Sequence, residues 1–240
     1  MSPPLPRNAA PYLGAVALAA VAAAVPALFG FASGTDRLGT FLGLAAGAAL
    51  AQIFLIEIGR NHGFPVALMF AVAAVLLLPV QLVALIGLAQ HAPDLVRRRF
   101  PWYIQAFNIS NYTLDALAAW ATAHLLANHL LPNNRLGLAL AGLAAGAVFV
   151  ALNHLLLATM LRQARGRSFK ESRLLSPQSM LIDLVLAALG VALAAFAGSN
   201  PTLVLTAIAP LILVHWLLRL IAAAERNQIS TASGLRMNVQ

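Results

Sequence analysis

The chain has 240 residues, 61% of them hydrophobic and only 9% charged, with a formal net charge of +8 and no cysteine. Soluble domains are about a quarter charged, so this composition describes an integral membrane protein with most of its length in the bilayer. The lack of cysteine excludes disulfides, thiolate metal sites and thiol nucleophiles. The basic excess lies in short segments between apolar runs, which makes it an orientation signal and contact for anionic lipid, not a nucleic-acid footprint.

In chain order, residues 1–11 read as a flexible proline-rich tail, 12–222 as a single transmembrane helical domain and 223–240 as a short cytoplasmic tail. The first apolar run, from about Tyr12 to Ala32, spans a core about 30 Å thick and exceeds the h-region of about 7–15 residues of a signal peptide. A second span is expected from Leu38 to Ile58, broken by the sequence GRNHGF. The stretch from Phe64 to about Ala92 is too long for one straight span and too short for two full ones. Pro79 in its middle calls for a kink or, preferably, a hairpin of short helices.

Arg97, Arg98 and Arg99 then mark a membrane edge. Pro101 suits a helix start, and Trp102 and Tyr103 suit the headgroup zone. The helix from there to about Ala127 carries Gln105, Asn108, Asn111 and Asp115 at steps of three or four, hence on one face. Leu136–Leu161, Pro177–Ala197 and Pro201–Ala222 complete the pattern. The fold class is therefore all-α, a polytopic transmembrane bundle of seven or eight spans. Arg97–Arg99, the segment with Arg162, Arg165, Arg167, Lys170 and Arg173, and the C-terminal tail fall on one side by parity. The positive-inside rule makes that side cytoplasmic, at the inner membrane of a bacterium. The sequence GLAAG occurs at Gly43–Gly47 and Gly142–Gly146, and close helix packing is its expected meaning.

Ionisable groups inside spans are costly and therefore candidates for function: Glu57, Asp115, His124, His154, Asp183 and His215. Counting from the cytoplasmic boundaries at 1.5 Å per residue puts His154 and Asp183 both roughly 10 Å deep on adjacent antiparallel helices. A His154–Asp183 pair supported by Asn153 is expected, either as a proton-sensitive element or as a packing hydrogen bond. Asp115, nearer mid-membrane with Asn108 and Asn111 below it, should face a polar network or a ligand or ion pocket. No metalloprotease, serine-hydrolase or phosphate-loop spacing occurs, so no catalytic residue, metal or cofactor is expected.

The segments FPWYIQAFNISNYTLDALAAW and ALNHLLLATMLRQARGRSFKES, followed by the Asp183 span and a last span ending in a short charged helix, resemble the membrane input regions of bacterial cyclic-di-GMP signalling proteins. The resemblance covers roughly residues 64–225. In those proteins the membrane region feeds a cytoplasmic GGDEF or HD-GYP domain through a Thr-Gly-Leu-x-Asn segment. Here Ser233-Gly234-Leu235 matches faintly, Met237 replaces the asparagine, and no output domain follows before Gln240. The pattern is also similar to the substrate-binding components of energy-coupling vitamin transporters. These resemblances imply a sensor-type module that passes a ligand, lipid or proton signal to a protein partner on the cytoplasmic side or in the membrane. The alternatives are a small-molecule-binding transporter component and a structural subunit of a membrane complex.

Overall fold

The computed structural model describes residues 5–29, 36–53, 56–58, 62–64, 66–97, 100–132, 134–172 and 174–199, with Trp216 and Leu220 beyond them. They form helices α1 (Ala10–Leu28), α2 (Leu38–Ile53), α3 (Ala67–Leu77), α4 (Val80–Arg97), α5 (Trp102–Leu125), α6 (Arg135–Arg165), α7 (Phe169–Ser172) and α8 (Pro177–Ser199). Strands β1 (Ile56–Ile58) and β2 (His62–Phe64) pair antiparallel between α2 and α3, with Ile56 opposite Phe64. The expected last span, 201–222, lies outside the described residues apart from two helical positions.

Several boundaries differ from the sequence expectation, each for a local reason. The second span stops at Ile53, and Glu57, expected near its end, stands in β1 opposite Gly63. Alternating β-branched Ile56 and Ile58 favour a strand, and the glycines around them disfavour a continued helix. At Leu78 the backbone turns extended (φ −111°, ψ 149°), the conformation favoured before a proline, and α3 ends. Helix α5 runs on past Ala127 through a π-helical turn, Leu126–Leu130.

The chain reverses at Pro79. Phe70, near the start of α3, lies over Gly47 of α2. Asp94, near the end of α4, reaches Gln52, just over a turn beyond Gly47. The end of α4 is therefore level with the start of α3, and the two helices form an antiparallel hairpin.

Helix α3 is the hub. Every residue from Ala67 to Val75 is buried, and α2, α4, α5, α6 and α8 pack around it. A helix that is apolar on all sides belongs in the middle of a bundle. The outer helices also present apolar side chains outward, among them Leu18 and Val21 of α1, Leu138 and Leu155 of α6, and Leu181 and Phe196 of α8. A surface of this kind suits lipid, not water. Ala10–Leu28, Arg135–Arg165 and Pro177–Ala197 are long and apolar enough to cross a membrane, whereas α2, α3 and α4 are apolar but shorter. Helix α5 has 24 residues, but its polar stripe lowers its hydropathy.

Helix α6 begins at Asn134, whose side chain accepts a hydrogen bond from the Gly137 backbone N–H at 2.8 Å, and it ends at Gly166 in the left-handed conformation (φ 65°). Asn134→Ala is expected to cost about 1 kcal/mol, read as a small fall in the thermal midpoint in detergent, and Asn134→Asp to cost less than half of that.

Candidate functional site

Three of the chain's seven acidic residues, Asp94, Asp115 and Asp183, are buried inside the described bundle. Each is held by neutral or histidine side chains from a neighbouring element. No group of three or more His, Asp or Glu side chains that could hold a metal occurs among the described residues.

The α5 stripe faces inward as its spacing requires. Gln105, Asn111 and Asp115 are buried and Asn108 is half-buried. Asn153 of α6 donates through Nδ2 to Asp115 Oδ2 at 2.9 Å. Neighbouring residues on a helix point about 100° apart, so Asn153 and His154 face different partners. Asn153 thus holds Asp115 and does not support the Asp183 pair, as the sequence suggested it would.

His154 faces the other way. Its Nε2 lies 2.7 Å from Asp183 Oδ2 on α8, and its Nδ1 meets the backbone carbonyl of Leu174. A carbonyl only accepts, so Nδ1 carries a hydrogen. Nε2 and the carboxyl then share one further proton, as imidazolium with carboxylate or as imidazole with carboxylic acid. Without that proton, the lone pairs of two acceptors oppose each other at hydrogen-bond distance. The imidazole also ties three pieces of chain together: α6, α8 and the turn that enters α8 from the basic segment.

A second polar cluster was not singled out from the sequence. Gln52 of α2 donates to Asp94 Oδ2 at 2.7 Å, and His91 Nδ1 lies 3.4 Å from the same oxygen. The His91 ring stands edge-on to Tyr112 with centroids 4.9 Å apart, and Tyr112 packs edge-on against Phe149 at 5.6 Å. The Gln90 amide neighbours the Tyr112 hydroxyl without meeting hydrogen-bond geometry. Tyr112 lies within electrostatic reach of Asp94, Asp115 and Asp183 together, which places it centrally among them. The legible signal was the i, i+3 spacing of His91 and Asp94. Pro93 and the arginines that follow made the apolar run look finished at Ala92, yet the helix passes through Pro93 to Arg97.

In the basic segment Arg162, Arg165 and Lys170 are exposed and Arg167 is half-exposed. The Arg162 guanidinium sits 5.4 Å over the Phe169 ring. Ser168 and Glu171 form a capping box: Ser168 N–H donates to Glu171 Oε2 at 2.8 Å, and Glu171 N–H donates to Ser168 Oγ at 3.2 Å. The hydrogen bonds from Ser168 hold the Glu171 carboxyl below its usual range. Arg97 closes α4, while Arg98, Arg99, Arg173 and His215 lie outside the described residues. His124 is exposed at the opposite end of the bundle, stacked on Trp120 at 3.9 Å. With Asp36, Arg37 and the Leu76–Pro79 turn it lines a cleft of about 340 Å³. No protein-family profile, no curated protein and no solved structure matches the chain.

Proposed function

We propose that the protein is a sensor-type membrane module in which the proton shared by His154 and Asp183 sets the position of the basic cytoplasmic segment 162–173. The observation that carries this reading is the double engagement of His154. One nitrogen faces the Asp183 carboxyl inside the bundle, and the other holds the Leu174 carbonyl at the root of that segment. Histidine titrates between about pH 5 and 8, and a buried imidazole with two partners has two arrangements to choose between. Loss of the shared proton sets Nε2 and the carboxylate against each other and frees Leu174. Tyr112 of α5 lies within electrostatic reach of Asp183, and Asn153, next to His154, holds Asp115. A protein partner with an acidic surface would read the exposed Arg162, Arg165 and Lys170.

In this reading α1 to α6 and α8 each cross the inner membrane, apart from the short α7, and residues 201–222 form an eighth crossing. Both termini are then cytoplasmic. The hairpin at Pro79 supports this count, as does the packing of Tyr12, at the start of α1, on Leu156 near the arginine-rich end of α6.

The absence of native cysteine allows a clean test. A spin label at Arg165→Cys, in protein reconstituted in vesicles, is expected to change mobility between about pH 5 and 8, and His154→Gln is expected to abolish that change. A label that ignores pH in the otherwise wild-type chain, or a His154→Gln variant that keeps the response, would exclude the reading.

A further inference from the structure

Asp115 is completely enclosed (0% exposed), and Asn153 engages only one of its oxygens. The other, Oδ1, has no hydrogen-bond donor among the described residues. Nor has Asn111 Oδ1, one helical turn away on the same face of α5, in a residue only 3% exposed. Two acceptor oxygens without donors are thus stacked on one face of a buried helix. Buried acceptors left without partners are costly, and more so when the group is charged. A carboxylate whose partner among the described residues is a neutral amide is not neutralised by it.

Among the described residues, the elements packed on α5 supply no cationic partner. Helix α3 is wholly apolar, α1 brings Tyr12, α4 brings His91 and Asp94, which are engaged with each other, and α6 brings His154, which is engaged with Asp183. Tyr112 lies a turn below on α5 itself. Oxygen acceptors without donors are what a small hard cation requires, and one carboxylate matches one positive charge.

We propose that Asp115 and Asn111 bind a single small monovalent cation, sodium or a proton, in the middle of the bundle. Asn153, which orients Asp115, is the immediate neighbour of His154, so occupancy of this site bears directly on the His154–Asp183 pair. That consequence rests on the sensor reading; the site itself does not.

Thermal unfolding of the purified full chain, followed by tryptophan fluorescence, tests the site. Sodium chloride is compared with choline chloride at equal ionic strength, and the pH is varied separately in a His154→Gln background with and without Asp115→Asn, so that the difference between the two series reports Asp115 and not Asp183 or the His91–Asp94 pair. If sodium is the ion, the wild-type midpoint rises saturably by about 5 °C at sodium well above its dissociation constant. If a proton is the ion, the midpoint rises on acidification in the His154→Gln background and ignores sodium. Asp115→Asn, isosteric and neutral, is expected to abolish the response and to unfold near the temperature of the loaded protein. Asn111→Ala is expected to raise the sodium or proton concentration needed by about tenfold. A midpoint insensitive to both ions, or an Asp115→Asn variant that keeps either response, overturns the site. The spin-label experiment at residue 165 judges the His154 switch independently of that result.

Discussion

His154→Ala is expected to destabilise the protein by about 4–5 kcal/mol, the largest loss of any polar substitution in the bundle. Three costs add at this position. The Asp183 carboxyl loses its partner among the described residues, the Leu174 carbonyl loses its donor, and a buried ring leaves a cavity between α6 and α8. Asp183→Ala should cost less, about 3 kcal/mol, because the imidazole keeps Leu174 and can shed its charge. Asp183→Asn should cost only about 1 kcal/mol. With Nδ1–H committed to Leu174, a neutral imidazole presents Nε2 as an acceptor, and the new carboxamide can donate to it. Urea or thermal unfolding in detergent ranks the three variants. A packing hydrogen bond of the ordinary kind would instead make His154→Ala and Asp183→Ala equal and near 1 kcal/mol.

That pair was legible in the sequence because depth in a span is a matter of counting. His154 and Asp183 lie at matching distances from the ends of helices that must be antiparallel neighbours. Direction around the helix axis is harder to read. Asn153 was assigned to the same pair, but it is a third of a turn from His154 and faces α5, where it holds Asp115. The inward stripe of Gln105, Asn111 and Asp115 was likewise visible in the spacing, since polar residues at steps of three or four leave one apolar face for lipid or packing.

What the sequence concealed was set by tertiary contact. Helix α3 has no amphipathic signature, so nothing in its pattern marked it as the hub; its all-round burial follows only from five neighbours closing over it. Asp94 lies beyond the hydropathy boundary at Ala92, which is not the helix boundary, since α4 continues to Arg97. The polar end of α4 remains helical because α2 and α5 supply partners for it there, with Gln52 bonded to Asp94 and Tyr112 packed on His91.

Gly190→Ala is expected to lower stability by roughly 3 kcal/mol, or about 6–12 °C in midpoint, whereas Gly43→Ala should be neutral or slightly stabilising. A Cβ at Gly190 would come within 2.5 Å of the Met69 carbonyl oxygen and 2.9 Å of Val72 Cβ, so α8 and α3 would have to part. A Cβ at Gly43 meets nothing within 4 Å, and alanine is the better helix former by about 0.5–1 kcal/mol. The two GLAAG segments are therefore not equivalent. In the first, only Gly47 receives a neighbour, the Phe70 ring; in the second, Gly142 and Gly146 both pack, against Leu76 and Ala187 among others. Gly47 of α2, Gly142 and Gly146 of α6 and Gly190 of α8 together admit the central helix α3 from three sides. They also fix the register of α6 on α8. Ala187, which touches Gly146, is one turn from Asp183, and Gly146 is two turns from His154. Displacing α8 by the width of a methyl group should therefore separate a pair that meets at 2.7 Å. Gly190→Ala is accordingly expected to blunt the pH response of a label at residue 165 even under conditions where the variant remains folded, and Gly43→Ala is expected to leave it intact. A Gly190→Ala variant with both wild-type stability and a wild-type pH response would mean that α3 does not set the spacing of α6 and α8.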